Sequence, residues 1–247
     1  MSARMGAAPE GAHDERAAAA AVRQMFSDIA PRYDFLNHLL SFNIDRLWWR
    51  RTARTFAHIL RRSNARALDI CCGTGDLALA LRRVAGEDGA TVVGADFAHP
   101  MLVRAVKKSE GKRVMLVEAD ALRLPVGDQS CDLVTSAFGF RNLANYEKGL
   151  QEIYRVLRPG GEVGILDFGE PGGAMGKLYR VYFKHVLPRV GTLISGVKGP
   201  YAYLPASVER FPAPEVMVEQ MRSKGLVDVS WSAYTCGIAG VYRGRKS

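Results

Sequence analysis

No run of about 18 or more apolar residues occurs in the chain, so no transmembrane helix is expected. Residues 1–15 have no apolar core of the kind a secretory signal carries. They are small, polar and charged, and read as a disordered tail. Cysteine is scarce: Cys71, Cys72, Cys131 and Cys236 are the only four. The first two are chain neighbours, poorly placed to bridge each other, and no CxxC pair is present, which argues against a disulfide scaffold and against structural zinc. Reduced, buried thiols in a cytosolic enzyme are the expectation. The five histidines are scattered, so no metal-binding constellation emerges. Internal repeats and a clear linker are also absent. Residues 16–247 therefore read as one domain, with 16–62 as an N-terminal helical cap and 172–205 as an insertion on the substrate side.

What is present is ordinary in bulk: 48% hydrophobic and 24% charged residues, enough to bury a sizeable core. The net charge of +9 is not ordinary. Nucleic acid, an anionic membrane surface and a merely solvated face all suit a basic chain. The basic residues form no long run. Instead Arg46, Arg50, Arg51, Arg54, Arg61 and Arg62 punctuate one helical segment.

The organising stretch is Ala67-Leu68-Asp69-Ile70-Cys71-Cys72-Gly73-Thr74-Gly75-Asp76. An apolar run ends in an acid, a glycine-bearing turn follows, and Leu77 to Val84 suits a helix. Glycine tolerates positive φ and has no Cβ, so such a loop brings backbone N–H groups close to a ligand. The helix N-terminus behind it adds a positive dipole end. Gly73-Thr74-Gly75-Asp76-Leu77-Ala78 also satisfies the loose dinucleotide pattern. From the loop alone a nicotinamide or flavin cofactor, a methyl donor and no ligand at all stay open.

The flanking segments narrow the choice. Ala17–Ile29 reads as a helix ended or kinked at Pro31, and Ile44–Leu60 as a second, with Ile44, Leu47, Trp48, Phe56, Ile59 and Leu60 on one face. After the loop, Ala90–Ala95 is a strand closed by Asp96, at the spacing that brings a carboxylate to a bound ribose. Val114–Val117 is a third strand, followed by Asp120, which can accept a hydrogen bond from an adenine amino group. Cys131–Ala137 is a fourth strand, with Phe138-Gly139-Phe140-Arg141-Asn142 at its carboxyl end, where open parallel sheets bind ligands. A helix from Asn145 or Tyr146 to Leu157, a turn at Arg158-Pro159-Gly160-Gly161 and a fifth strand, Glu162–Phe168, follow. Lys177–Leu187 reads helical, Gly191–Tyr203 as a loop or lid, and Pro214–Ser223 as a helix stopped at Gly225. Leu226–Tyr234 and Gly237–Tyr242 form a terminal antiparallel pair.

Five strand–helix units closed by an antiparallel pair match the α/β class I methyltransferase architecture: a Rossmann-like sheet of seven mostly parallel strands with a C-terminal antiparallel strand, and helices on both faces. Short-chain dehydrogenases carry a Tyr-x-x-x-Lys pair, found here only as Tyr242 to Lys246 in a strand-like tail. Amino-group methyltransferases carry an Asn/Asp-Pro-Pro-aromatic signature, and Ala137-Phe138-Gly139-Phe140 stands in its place. More specific are Phe26-Ser27-Asp28-Ile29-Ala30-Pro31-Arg32-Tyr33-Asp34, Phe138-Gly139-Phe140-Arg141-Asn142, Tyr154 to Gly161 and Tyr201-Ala202-Tyr203-Leu204-Pro205. With these segments the chain resembles the UbiE/MenG family of quinone-biosynthesis C-methyltransferases over nearly all of residues 20–247.

The resemblance implies S-adenosylmethionine as methyl donor, contacted by Thr74, Asp96, Asp120, Ala121 and Ser136. Asp69 and the backbone of Gly73 and Gly75 would shape its methionine end. It implies as acceptor a polyprenylated demethylquinol, a naphthoquinol or a benzoquinol or both, and no nucleic acid. It further implies a cytoplasmic protein with transient, peripheral membrane contact, and it is compatible with a homo-oligomer. Many methyltransferases have glycine where Cys71 stands; Cys71 is read as a small buried filler that would be strained at positive φ. For the chemistry, Arg141 is expected to stabilise a phenolate, Asn142 to orient a hydroxyl or water, Tyr33 to contact the ring or donor, and Asp34 to assist proton removal. Trp48 to Arg54 and Lys177 to Tyr203 are the expected lipid contacts.

Overall fold

The computed structural model describes residues 6–169, 171–173, 176, 181–182, 189 and 200–247. Asp14 opens the first helix, α1 (Glu15–Ile29), by accepting the Ala17 amide at 2.7 Å. Pro31 ends α1 in a single 3₁₀ turn, and α2 (Tyr33–Leu40) restarts directly behind it, so the aromatic stretch around Tyr33 is helical. A turn with Phe42 and Asn43 at φ of 53° and 58° leads into α3 (Ile44–Thr55). The single helix expected over 44–60 is broken at Phe56, and α4 (Ala57–Leu60) is a separate turn. Phe56 has a reason to leave the helical path. Its ring edge lies against Gly164, where a Cβ would come within 2.4 Å of it. Burying a ring of that size is worth about 2–3 kcal/mol. Within the stretch expected as a tail over 1–15, Ala7 is buried, its amide donating to the Leu143 carbonyl at 2.8 Å.

Next come β1 (Arg66–Ile70), α5 (Asp76–Ala85), β2 (Thr91–Asp96), α6 (His99–Ser109), β3 (Val114–Glu118), β4 (Cys131–Ala137), α7 (Tyr146–Val156) and β5 (Leu157–Phe168). The expected turn at Arg158–Gly161 lies inside β5 as a bulge. Cys131 pairs with Leu157 but Leu133 pairs with Glu162, which leaves four residues of β5 looped out. Helix α8 (Pro200–Arg210) takes the end of the stretch expected to be irregular. The helix expected over 177–187 and the loop over 191–199 lie outside the described residues, apart from Val181 and Tyr182. Helix α9 (Pro214–Ser223), β6 (Leu226–Tyr234) and β7 (Ala239–Lys246) complete the chain.

The seven strands form one sheet in the order β3-β2-β1-β4-β5-β7-β6. β7 is antiparallel to both its neighbours, while the pairs β1–β2, β1–β4, β2–β3 and β4–β5 are parallel. The order reverses between β1 and β4, which opens a crevice at the carboxyl ends of those strands. Side-chain alternation assigns the two faces. Leu68, Ile70 and Val134 pack on α7 and α9 through Leu150, Ile153 and Met217. Ala67 and Leu133 pack on α3, α4 and α5 through Phe56, Leu60, Leu77 and Leu81. The cap is pinned to the sheet by charge as well. Glu15 takes Lys148 at 2.6 Å and the Asn145 amide at 2.9 Å, and Arg23 pairs with Glu118 at the end of β3.

Candidate active site

Two cavities meet over the carboxyl ends of β1 and β4, sharing Tyr33, Cys71, Gly73, Phe138 and Asn142. The smaller, about 50 Å³, runs over Gly73 to Asp96, Asp120 and Ala121. The larger, about 270 Å³, lies between the sheet and the cap and is walled by aromatic and apolar side chains.

In the smaller cleft Asp96 is buried at the end of β2. Its Oδ2 accepts the Gly73 amide and its Oδ1 the Ala98 amide, each at 2.8 Å. Burial raises its pKa, and those amides oppose the shift. The same carboxylate thus ties down the loop and keeps lone pairs for a ligand's hydroxyls. Asp120 folds its carboxylate onto the Leu122 amide at 2.9 Å, an Asx turn that presents Ala121 to the cleft. Gly73 and Gly75 adopt φ of 55° and 87°. A Cβ on Gly73 would meet only the Tyr33 ring edge, at 3.9 Å, so without one the loop backbone borders the cavity directly.

Asp69 sits beneath, bonded to Thr135 at 2.8 Å, with the Ala78 amide of α5 turned toward it. Burial dominates and pushes its pKa up to about 7. Cys71 is not a filler. It takes φ of 51°, lines both cavities, and packs so close to Gly139 that a Cβ there would lie 2.4 Å from its own. The left-handed conformation costs about 1–2 kcal/mol for a residue with a side chain. Burial raises its thiol pKa well above the ordinary value, so it is kept neutral.

The expected site residues do not all face a cavity. Ser136 is fully buried on the α7 side of β4, beneath Gly139, and lines neither cavity; its hydroxyl has no hydrogen-bond partner among the described residues. Asp34 also lines neither. It accepts the Thr74 hydroxyl and pairs with Lys108 at 2.9 Å, and Lys108 reaches Asp76 at 3.0 Å. Asp34 is therefore a tether between cap and loop rather than a group directed at an acceptor. Thr74 is held in the same cluster, accepting Lys108 at 2.9 Å while lining the larger cavity.

Arg141 and Asn142 do line the larger cavity. Arg141 is buried, ion-paired with Asp167 at 2.9 Å, bonded to the Phe138 carbonyl and to Ser207 at 3.4 Å, and stacked 5.1 Å over Phe168. Asn142 donates to the Phe138 carbonyl at 3.3 Å, while its Oδ1 is buried without a hydrogen-bond partner among the described residues. Tyr33 lines both cavities. Burial pushes its hydroxyl pKa up to about 12, against the pull of Arg141, so it enters chemistry as a protonated donor.

Asp167, Ser207 and Lys108 escaped the sequence reading. Asp167 ends β5, the kind of position that made Asp69 and Asp96 candidates, and could have been found by that signal. Lys108 closes an ordinary helix and gave none. Trp48 also departs from expectation. It is buried, its indole donating to Thr235 at 2.8 Å and packing on Phe138 and Phe168, so it faces the cavity and not a lipid surface.

The sheet order, the glycine loop and the carboxylates at the ends of β1 and β2 and just past β3 define a class I S-adenosylmethionine-dependent methyltransferase. The polar groups present fit that donor: acids for ribose and amino groups, and an apolar slot at Phe97, Met101 and Leu122 for an adenine. Residues 12–246 match the model of the ubiE/COQ5 methyltransferase family, and the chain belongs to that family. It is 54% identical over 223 residues to the demethylmenaquinone methyltransferase of Thermus thermophilus, covering 89% of this chain and 99% of that relative. It is 42% identical over 230 residues to the ubiquinone/menaquinone biosynthesis C-methyltransferase UbiE of Geobacter sulfurreducens, covering 91% and 88%. A solved S-adenosylmethionine-dependent methyltransferase from Thermotoga maritima superposes with a TM-score of 0.65 over 92% of this chain and all of that one, at 19% identity, a likeness of fold.

Proposed function

We propose that this protein methylates a ring carbon of a polyprenylated demethylnaphthoquinol, the demethylmenaquinol of menaquinone biosynthesis. The observation that carries the acceptor assignment is the larger cavity. It is aromatic and apolar, large enough for a bicyclic ring, and shares a wall with the donor cleft at Cys71, Gly73, Phe138 and Asn142.

S-adenosylmethionine, when bound, supplies an electrophilic methyl group. The protein's part is positioning and charge. Asp96 and Asp120 accept hydrogen bonds from the ribose and adenine. Asp69, with Gly73 and Gly75, holds the methionine end. Tyr33, over Gly73, closes the cleft. Ring carbon is a weak nucleophile until a neighbouring hydroxyl loses its proton. Arg141 then offers a fixed cation to the oxyanion, and Asn142 a polar group at the wall between the cavities. Because Arg141 is already clamped by Asp167 and Phe168, little reorganisation accompanies charge development. Water is kept out by Trp48, Phe138 and Phe168.

The prenyl tail calls for contact with a bilayer. The exposed apolar residues Phe35, Leu39, Phe42 and Leu47 lie on α2, α3 and the turn between them, beside exposed Arg46 and Arg50, and Phe42 also lines the cavity. That patch suits an anionic membrane surface. Among the described residues no helix is long and apolar enough to cross a membrane.

Incubation of the protein with the donor and with tailed demethylnaphthoquinol or tailed benzoquinol, side by side, tests the assignment. The expected product gains one methylene in mass from the naphthoquinol. Transfer to the benzoquinol alone would overturn it. Leu39→Ser/Leu47→Ser should lose liposome binding while a short-tailed acceptor is still methylated.

A further inference from the structure

The acceptor's hydroxyl proton must go somewhere, and Arg141, Tyr33 and Asp34 are poor takers. Arg141 is a permanent cation held by Asp167, Tyr33 keeps its own proton, and Asp34 is engaged by Lys108 outside the cavity. A different pair is built into the cap. Asp45, at the start of α3, is buried in the wall of the larger cavity. Its Oδ2 lies 2.8 Å from His38 Nδ1, on the last turn of α2. The two side chains differ in exposure, 5% for Asp45 and 21% for His38, so the pair runs from the cavity toward solvent. Trp49 packs edge-on against the imidazole at 5.9 Å and fixes its plane. The positive-φ turn at Phe42 and Asn43 is what brings the two residues together.

We propose that Asp45, oriented by His38, takes the proton of the acceptor hydroxyl. This rests on the methyltransferase reading above. The acceptor O–H breaks and its proton passes to the Asp45 carboxylate, which His38 holds in place by donating its Nδ1–H. The oxyanion's electron pair feeds the ring carbon, which forms its bond to the methyl group as the donor's sulfur–methyl bond breaks and sulfur keeps that electron pair. The ring C–H proton is then lost to water, and Asp45 returns its proton to the oxygen. The net release is one proton per methyl transferred.

The test measures methylation of demethylnaphthoquinol, donor affinity and melting temperature for wild type, Asp45→Asn, Asp45→Glu and His38→Gln. Loss of a positioned base lowers turnover about 10²-fold or more. Asp45→Asn should lose that much in kcat, with donor affinity and acceptor KM nearly unchanged, and Asp45→Glu should recover part of it. His38→Gln should fall by a smaller factor. A naphthol acceptor acidified by an electron-withdrawing substituent, already ionised at the assay pH, should be methylated by Asp45→Asn at a near wild-type rate. Asp45→Asn turning over the ordinary acceptor at the wild-type rate would overturn the role of Asp45 as base, as would an equal loss on the ionised acceptor. Failure of wild type on every quinol would instead count against the methyltransferase reading itself.

Discussion

The Arg141 guanidinium and the Asp167 carboxylate form a buried ion pair, 2.9 Å apart, between the turn after β4 and the end of β5. Removing one partner leaves the other charge uncompensated. Arg141→Ala should therefore destabilise the fold by about 3–5 kcal/mol, well beyond an ordinary surface change. Arg141→Met/Asp167→Leu should recover most of that stability and none of the activity. Urea unfolding, read beside turnover, checks both. Recovery of activity in the double variant would show that Arg141 only balances Asp167.

Asp69 gives the protein a pH signature. Its folded-state pKa of about 7 lies above the ordinary 3.8, so the native state binds the proton more tightly than the unfolded chain. Its contribution to stability is present at low pH and falls as pH rises through the window from about 4 to about 7. A donor ammonium beside the carboxylate favours the ionised form, so donor affinity should weaken as pH drops below about 7. Asp69→Asn should bind the donor less well and lose that dependence. Donor titrations by calorimetry at several pH values decide this.

Gly139 and Cys71 are packed backbone to side chain. Gly139→Ala places a methyl 2.4 Å from the Cys71 Cβ and 3.0 Å from its carbonyl oxygen. It should displace the donor loop and cost both stability and donor affinity. Cys71→Gly removes the Cβ clash and the positive-φ penalty together, so Gly139→Ala/Cys71→Gly should regain part of the loss. Additive losses in the double variant would mean the contact is not what constrains Gly139.

Lys108 is shared by Asp34, Asp76 and Thr74. Lys108→Met leaves two carboxylates facing each other, and the cap should loosen over the donor loop. The three charges are only partly buried and still reach solvent, so each pair adds little beyond the about 0–1 kcal/mol of a surface pair, and the expected effect is a several-fold loss of donor affinity and not unfolding. Hydrogen exchange should quicken over α2 in the variant. Adding Asp34→Asn should relieve the repulsion and restore part of the affinity.

The donor half was legible in the sequence because its signals are local. The apolar run before Asp69, the positive-φ glycines and the acids after strands two and three are set by neighbours in the chain, and the structure brings Asp96, Asp120 and Ala121 to one cleft while leaving Ser136 out of it. Breaks inside elements were less legible. The kink at Phe56 answers to Gly164, and the bulge at Arg158–Gly161 to the register of β4.

The sequence by itself determined the strand–helix alternation, the ligand-bearing ends of the strands and the family, since periodicity, turn chemistry and motif spacing are properties of short segments. Only the tertiary structure decided which polar groups are already occupied. Arg141 meets Asp167 from 26 residues away, and Thr74 meets Asp34 from 40. Such pairings depend on how elements distant in the chain are brought together, and no local pattern encodes them. The same packing turned Trp48 inward, gave Cys71 a positive φ, and set Asp45 in the wall of the larger cavity with His38 bonded behind it.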